Sequence, residues 1–140
     1  MLIDSNILIY AINRRSPKHR RAKQFLKENL PYLEIAHQNI LEAIRVLTHG
    51  KFSRPMKPDS ALDSIFGLVQ PCRVISPDTS AIYISKELIK MHQLSGNRIF
   101  DAYLAATALS NGIDTIATDN TQDFKKFSQL KIINPFPNHN

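Results

Sequence analysis

The sequence predicts an α/β fold, a mostly parallel sheet of four to five short strands covered on both faces by helices. Three observations lead there. Short apolar runs at residues 1–3, 32–36, 72–75, 115–117 and 131–133 alternate with segments of helical periodicity. Those helical segments supply the long crossovers that parallel strands require. The 140 residues are enough for one core and too few for two comfortable ones.

The first run, Met1-Leu2-Ile3, ends at Asp4 and is followed by Ser5-Asn6 and a second apolar stretch, Ile7 to Ile12. This is a strand, a turn and a helix start, since Asp, Ser and Asn side chains accept the free N–H groups of a first helical turn. Ser16-Pro17 then predicts an N-cap with proline at the first helical position. Ala22, Phe25, Leu26 and Leu30 give that second helix its apolar stripe, and Pro31 ends it. A third helix starts at Gln38 or Asn39, buries Ile40, Leu41, Ala43, Ile44 and Leu47, and stops at Gly50. Glu42 and Arg45 project away from its apolar face. Residues 59–69 form a fourth helix and Pro71 breaks it. Ser76-Pro77 opens a long fifth helix to about Gln93, with Ala81, Ile84, Leu88 and Met91 as its core stripe.

Residues 98–110 form a sixth helix, ended by Asn111-Gly112. It is apolar almost all round, which marks a buried helix. Asp101 lies inside it, with the small residues Ala105 and Ala108 on its own side. A buried carboxylate needs a cation, a set of hydrogen bonds or a raised pKa. The strand at 115–117 again ends in acids, in Thr118-Asp119-Asn120-Thr121-Gln122-Asp123-Phe124, and Phe124 and Phe127 turn inward. Residues 1–134 make one domain and residues 135–140 a polar tail.

Composition narrows the class. With 43% hydrophobic and 21% charged residues the chain is an ordinary globular one. No apolar run approaches the ~18 residues of a membrane helix, and the apolar start carries Asp4 and no basic leader, unlike a signal peptide. The one cysteine, Cys72, is expected to be a buried inert thiol and fits a reducing cytoplasm. The five histidines show no metal-ligand spacing. The net charge of +6 favours a polyanionic partner. Arg14, Arg15, Lys18, Arg20, Arg21, Lys23 and Lys27 crowd one segment. Arg20, Arg21 and Lys23 on the second helix, and Arg98 before Asp101, are candidate phosphate contacts; a solvated helix face and a structural cation are the plain alternatives.

The acids converge by topology. Parallel strands joined by right-handed crossovers put their C-termini on one edge, where ligands of open α/β sheets bind. Asp4 and Asp119 end strands there, and Glu42 and Asp101 begin helices there. So many like charges require a counter-ion. An all-oxygen set suits Mg²⁺ or Mn²⁺ rather than zinc. Such an ion activates a bound water and neutralises charge developing on phosphorus. Taken singly, Asp4 also reads as a helix cap, Glu42 as a solvent-facing side chain and Asp101 as a first-turn acid favoured by the helix dipole.

Together these motifs resemble the PIN-domain ribonucleases, especially the VapC-type toxins of prokaryotic toxin–antitoxin pairs. The resemblance runs over nearly the whole chain. It rests on Leu2-Ile3-Asp4-Ser5-Asn6, Glu42, the segment Asp101 to Ala106 followed by Asn111-Gly112, and the segment Thr118 to Phe124. It implies a three-layer α/β/α sandwich and a Mg²⁺- or Mn²⁺-dependent endoribonuclease. It also implies a homodimer and an inhibitory antitoxin. Asp4, Glu42 and Asp101 match family acids; the fourth is Asp119 or Asp123, because members place it either just after the threonine or just before the phenylalanine. Asp4, Asp101, Glu42 and Asp119 are then the expected metal set, with Ser5, Asn6 and Asn120 behind them. Rival readings are a PIN ribonuclease of RNA processing or decay without an antitoxin, a non-catalytic RNA-binding module, and a phosphoryl-accepting receiver-like domain. The intact acid set argues against the second, and the lack of a suitable late lysine against the third.

Overall fold

The computed structural model describes residues 1–136. Five strands, β1 (Leu2–Ile3), β2 (Glu34–Ala36), β3 (Arg73–Ile75), β4 (Thr115–Ala117) and β5 (Lys131–Ile133), form one sheet in the order β3-β2-β1-β4-β5. Every pairing is parallel. The helices are α1 (Ser5–Ile12), α2 (His19–Asn29), α3 (His37–Thr48), α4 (Pro58–Val69), α5 (Ala81–His92), α6 (Arg98–Ser110) and α7 (Thr121–Phe124).

Strands of two or three residues suffice because successive side chains point to opposite faces. Ile3, Ile35 and Ala117 enter one core with α1, α2, α3 and α4; Leu2, Ala36, Ile75 and Ile116 enter the other with α5, α6 and α7. This is the expected three-layer sandwich. The central strand is β1. From it the chain steps outward to β2 and β3, then returns to β4 on the other side of β1. The strand order therefore reverses between β1 and β4, and Asp4 and Thr118 lie just beyond their ends.

Several local expectations change. α2 begins at His19, not at Pro17, because the Ser16 hydroxyl accepts the Lys18 N–H at 3.1 Å and forms a turn instead of a cap. Likewise α5 begins at Ala81, after a turn in which Asp78 accepts the Ser80 hydroxyl at 2.9 Å. His49, not Gly50, ends α3, and Gly50 keeps an ordinary φ. Gly112, at φ 72°, does take the left-handed turn after α6 that only glycine adopts freely. Met91 and Leu41, both expected in the core, are exposed. The buried face of α5 runs through Ala81, Ser85 and Leu88, and α3 turns Leu41 out beside the site. Phe136 was expected in the polar tail, yet it is 1% exposed and stacks edge-on against Tyr10 at 5.3 Å. Residues 137–140 of that tail lie outside the described residues. Among the described residues no helix is long and apolar enough to cross a membrane.

Candidate active site

Asp4 is placed by both ends of its own residue. Its N–H donates to the Ala117 carbonyl at 2.9 Å, extending the β1–β4 ladder, and its Oδ1 accepts the Ser5 N–H at 2.7 Å, capping α1. The residue is 6% exposed. Its Oδ2 accepts from the Thr118 hydroxyl at 2.8 Å and Asn6 Nδ2 at 3.3 Å; its Oδ1 also accepts from Ser5 Oγ and from Asn39 Nδ2, each at 3.4 Å. Burial pushes the Asp4 pKa up, the Thr118 and Ser5 hydrogen bonds pull it back, and Glu42 adds repulsion.

Glu42 sits in the second turn of α3. One hydroxyl joins it to Asp4, since Ser5 Oγ also lies 3.2 Å from Glu42 Oε2. Gln38 Nε2 donates to Glu42 Oε1 at 2.9 Å and to the Phe100 carbonyl at 3.2 Å, tying α3 to the first turn of α6. Asp101, in that same turn, is half-buried and its pKa is pushed up to about 6. Burial is the main cause; Asp123, Asp4 and Glu42 add repulsion, and Lys126 partly offsets it. Asp4, Glu42, Asp101 and Asp123 thus share one field. Glu42 and Asp101 line a cleft of about 790 Å³ together with Leu41, Arg45 and Phe100.

Asp119 is placed elsewhere. Its Oδ2 accepts from the Tyr10 hydroxyl at 2.7 Å and from Lys18 Nζ at 2.5 Å. Lys18 also lies over the Tyr10 and Phe136 rings. Burial and this carboxylate push the Tyr10 pKa up to about 12. Asp119 is not among the groups that perturb Asp101 or Asp4. Of the two acids the sequence left open, Asp123 adds to the repulsion on Asp101, and Asp119 is held in an ion pair with Lys18. Ser5 and Asn6 contact Asp4 as expected. Asn120 is exposed and reaches the site only through its N–H, which donates to Thr118 Oγ1 at 3.0 Å. Arg98 and Arg20 are exposed and form no ion pair among the described residues. Arg21 is committed to Glu28 and the Pro135 carbonyl.

The PIN domain family model matches residues 1–130. The chain belongs to the PIN domain family. Ribonuclease VapC24 of Mycobacterium tuberculosis is 28% identical over 140 residues, covering 95% of this chain and 94% of that one. A toxin–antitoxin complex from Klebsiella pneumoniae contains a chain that matches at 24% identity with a TM-score of 0.70, covering 96% of both. A chain of the DNA-bound VapBC from Salmonella typhimurium matches at 20% identity with a TM-score of 0.72, again over 96% of both.

Nucleases of the PIN family are generally divalent-metal dependent, and this PIN domain has the donors to hold such an ion. Every candidate donor is oxygen, and the Asp4 and Asp101 carboxyls are raised first by burial and then by neighbouring acids. Gln38 Oε1, next to Glu42, is buried with no hydrogen-bond partner among the described residues, as an acceptor for a metal-held water would be. Among the described residues no three of His, Cys, Asp and Glu are placed to hold a metal ion together. An open set of this kind suits Mg²⁺ or Mn²⁺, which bind through one or two carboxylates and keep several waters.

Four residues of the site escaped sequence reading. Asn39 and Thr118 are fully buried with their polar atoms on Asp4; their one sequence signal is position, a turn before Glu42 and immediately before Asp119. Gln38 and Lys126 gave none, being ordinary polar residues of a helix and of the turn after α7.

Proposed function

We propose that this PIN domain is a Mg²⁺- or Mn²⁺-dependent endoribonuclease and the toxin of a toxin–antitoxin pair. The observation that carries the reading is the field shared by Asp4, Glu42, Asp101 and Asp123 at the switch point of the sheet. The likeness to ribonuclease VapC24 and to chains of toxin–antitoxin complexes supports the substrate class and the partner. A bound divalent ion would supply a water of lowered pKa and neutralise charge on the phosphodiester. Asp4 and Asp101 are the residues that would hold it. Thr118, Asn6, Asn39 and Ser5 aim the Asp4 oxygens, so that little reorganisation is needed. Glu42, held by Ser5 and Gln38, orients the attacking water and takes its proton, and Asp123 completes the acidic wall. Arg45, lining the cleft, meets the negative strand as it enters.

The exposed apolar side chains Leu41, Phe100, Ile82 and Tyr83 on α3, α6 and α5 support a homodimer. Cleavage of single-stranded RNA by the purified chain in Mn²⁺, abolished by excess chelator and by Asp101→Asn, is the expected result. Undiminished cleavage in chelator by protein free of contaminating nuclease would defeat the reading.

A further inference from the structure

At the C-terminal end of α1 a second cavity, of about 380 Å³, opens where α1, α2, α3 and the α3–α4 connection meet. Its size falls within the range of small-ligand sites. Ile12 and half-buried Phe52 contribute apolar surface, while Arg14, Arg15, Lys23 and Arg54 stand around it, all four exposed. No acidic side chain lines it, and among the described residues none of the four cations forms an ion pair. Arg54 and Phe52 come from a different part of the chain than the basic run 14–27, so folding has gathered this cluster rather than sequence proximity.

The cavity and the acid site lie at opposite ends of α1. Ser5, Ile9, Ile12 and Asn13 fall on a single side of α1 and are all partly exposed, whereas Ile7, Leu8 and Ala11 are buried. Ser5 touches Asp4 and Glu42; Ile12 and Asn13 line the basic cavity. Seven residues of helix rise separate the two ends, about 10 Å, or roughly three stacked nucleotide steps of about 3.4 Å.

We propose that this cavity is a second subsite for the same single-stranded RNA, holding a nucleotide about three steps from the scissile phosphate, its base against Phe52 and its flanking phosphates on Arg14, Arg15, Lys23 and Arg54. The proposal rests on the ribonuclease reading, which places one phosphate at the acid end of α1, within a few nucleotides' reach of the basic cavity at its other end. An aromatic ring beside unpaired cations is how single strands are held without sequence preference.

The experiment measures binding of a fluorescein-labelled, random-sequence 12-nucleotide RNA to the full chain in chelator, by anisotropy across a salt series. Arg15→Gln with Arg54→Gln is expected to weaken binding about tenfold at low salt and to flatten the log–log salt slope by about 1.4, at roughly 0.7 per lost phosphate contact. Phe52→Leu is expected to weaken binding by a similar factor at every salt concentration without changing the slope, because stacking releases no counterions. Melting temperatures check that the exposed arginine variants fold. An unchanged slope and affinity in the double variant overturn the proposal. So does loss of binding to a poly-glutamate peptide while RNA binding stays whole, which would assign the cavity to an acidic protein segment. RNA binding that weakens as expected, in a wild-type chain that cuts no RNA in Mn²⁺, supports the subsite and defeats the nuclease reading instead.

Discussion

β1 and β4 are neighbours in the sheet and end at the same edge; Asp4 directly follows β1, whereas Asp119 follows β4 after Thr118. Asp4 and Asp119 nevertheless meet different surroundings. Asp4 is buried and surrounded by neutral donors from Ser5, Asn6, Asn39 and Thr118, and the charges it feels are other acids. Asp119 has Lys18 and the Tyr10 hydroxyl on one oxygen. Neutral donors hold a carboxylate in place and leave its charge available to a cation from solution. A resident ammonium uses that charge up. Asp119 lies one residue beyond Thr118, the position that continues the β1–β4 register opposite Asp4, and that single step turns it to Tyr10 and Lys18 instead of the other acids.

Substitutions at the two ends should separate these roles. The largest effect is expected at the acid end: Asp4→Asn or Asp101→Asn reduces Mn²⁺-dependent RNA cleavage to background. Each should also remove most of the metal's stabilisation, which for wild type is about 2.7 kcal/mol at a hundredfold excess over Kd. Thermal melts with chelator and with saturating Mn²⁺ read this directly, and a variant that keeps the full shift would contradict the assignment of its acid. Asp123→Asn should diminish the shift, while Asp119→Asn should leave it whole.

At the other end, Asp119→Asn should destabilise the metal-free protein by about 2 kcal/mol, because it strands the mostly buried Lys18 ammonium against two aromatic rings. Denaturant titration measures it. Removing both partners, with Lys18→Met added, should cost less than Asp119→Asn alone. A cost that grows instead would show that the pair is not the reason Asp119 matters.

Thr118→Val tests whether the neutral donors around Asp4 aim it at a metal. The expected loss is about tenfold in Mn²⁺ affinity, the scale of partners that orient ligands, or about 1.4 kcal/mol. Calorimetric titration of Mn²⁺ would show it. Equal affinity in the variant would reduce Thr118 to a filler of the β4 end.

The smallest expected effect is a pH slope. Asp101 titrates near 6 in the folded chain against 3.8 ordinarily, so between about pH 4 and pH 6 the folded state binds more protons than the unfolded one. Stability of the metal-free protein should therefore fall as pH rises through that window, modestly because Asp101 is only half-buried. The slope should flatten in Asp101→Asn and persist in Asp119→Asn. A wild-type curve that rises over the same window would mean that the acids do not repel one another.

Much of this was decided by residue order alone. Alternating short apolar runs and helical stripes specify a parallel α/β sheet, since strand and helix periods differ and parallel strands need crossovers. The same order puts Asp4 and Glu42 at one sheet edge, because each follows a strand end by few residues, and Asp101 joins them in the first turn of the helix that leads into β4. Other features depended on contacts between segments far apart in the chain. Asp119 and Asp123 are four residues apart with similar local signals, and only the approach of Lys18 and Tyr10, over a hundred residues earlier, distinguishes them. Asn39 and Thr118 became supports of Asp4 because β1 lies between β2 and β4, which no local pattern states. Arg54 and Phe52 joined Arg14 and Arg15 for the same reason. Periodicity reports which face of an element is buried; which side chains meet across elements is set by how those faces pack.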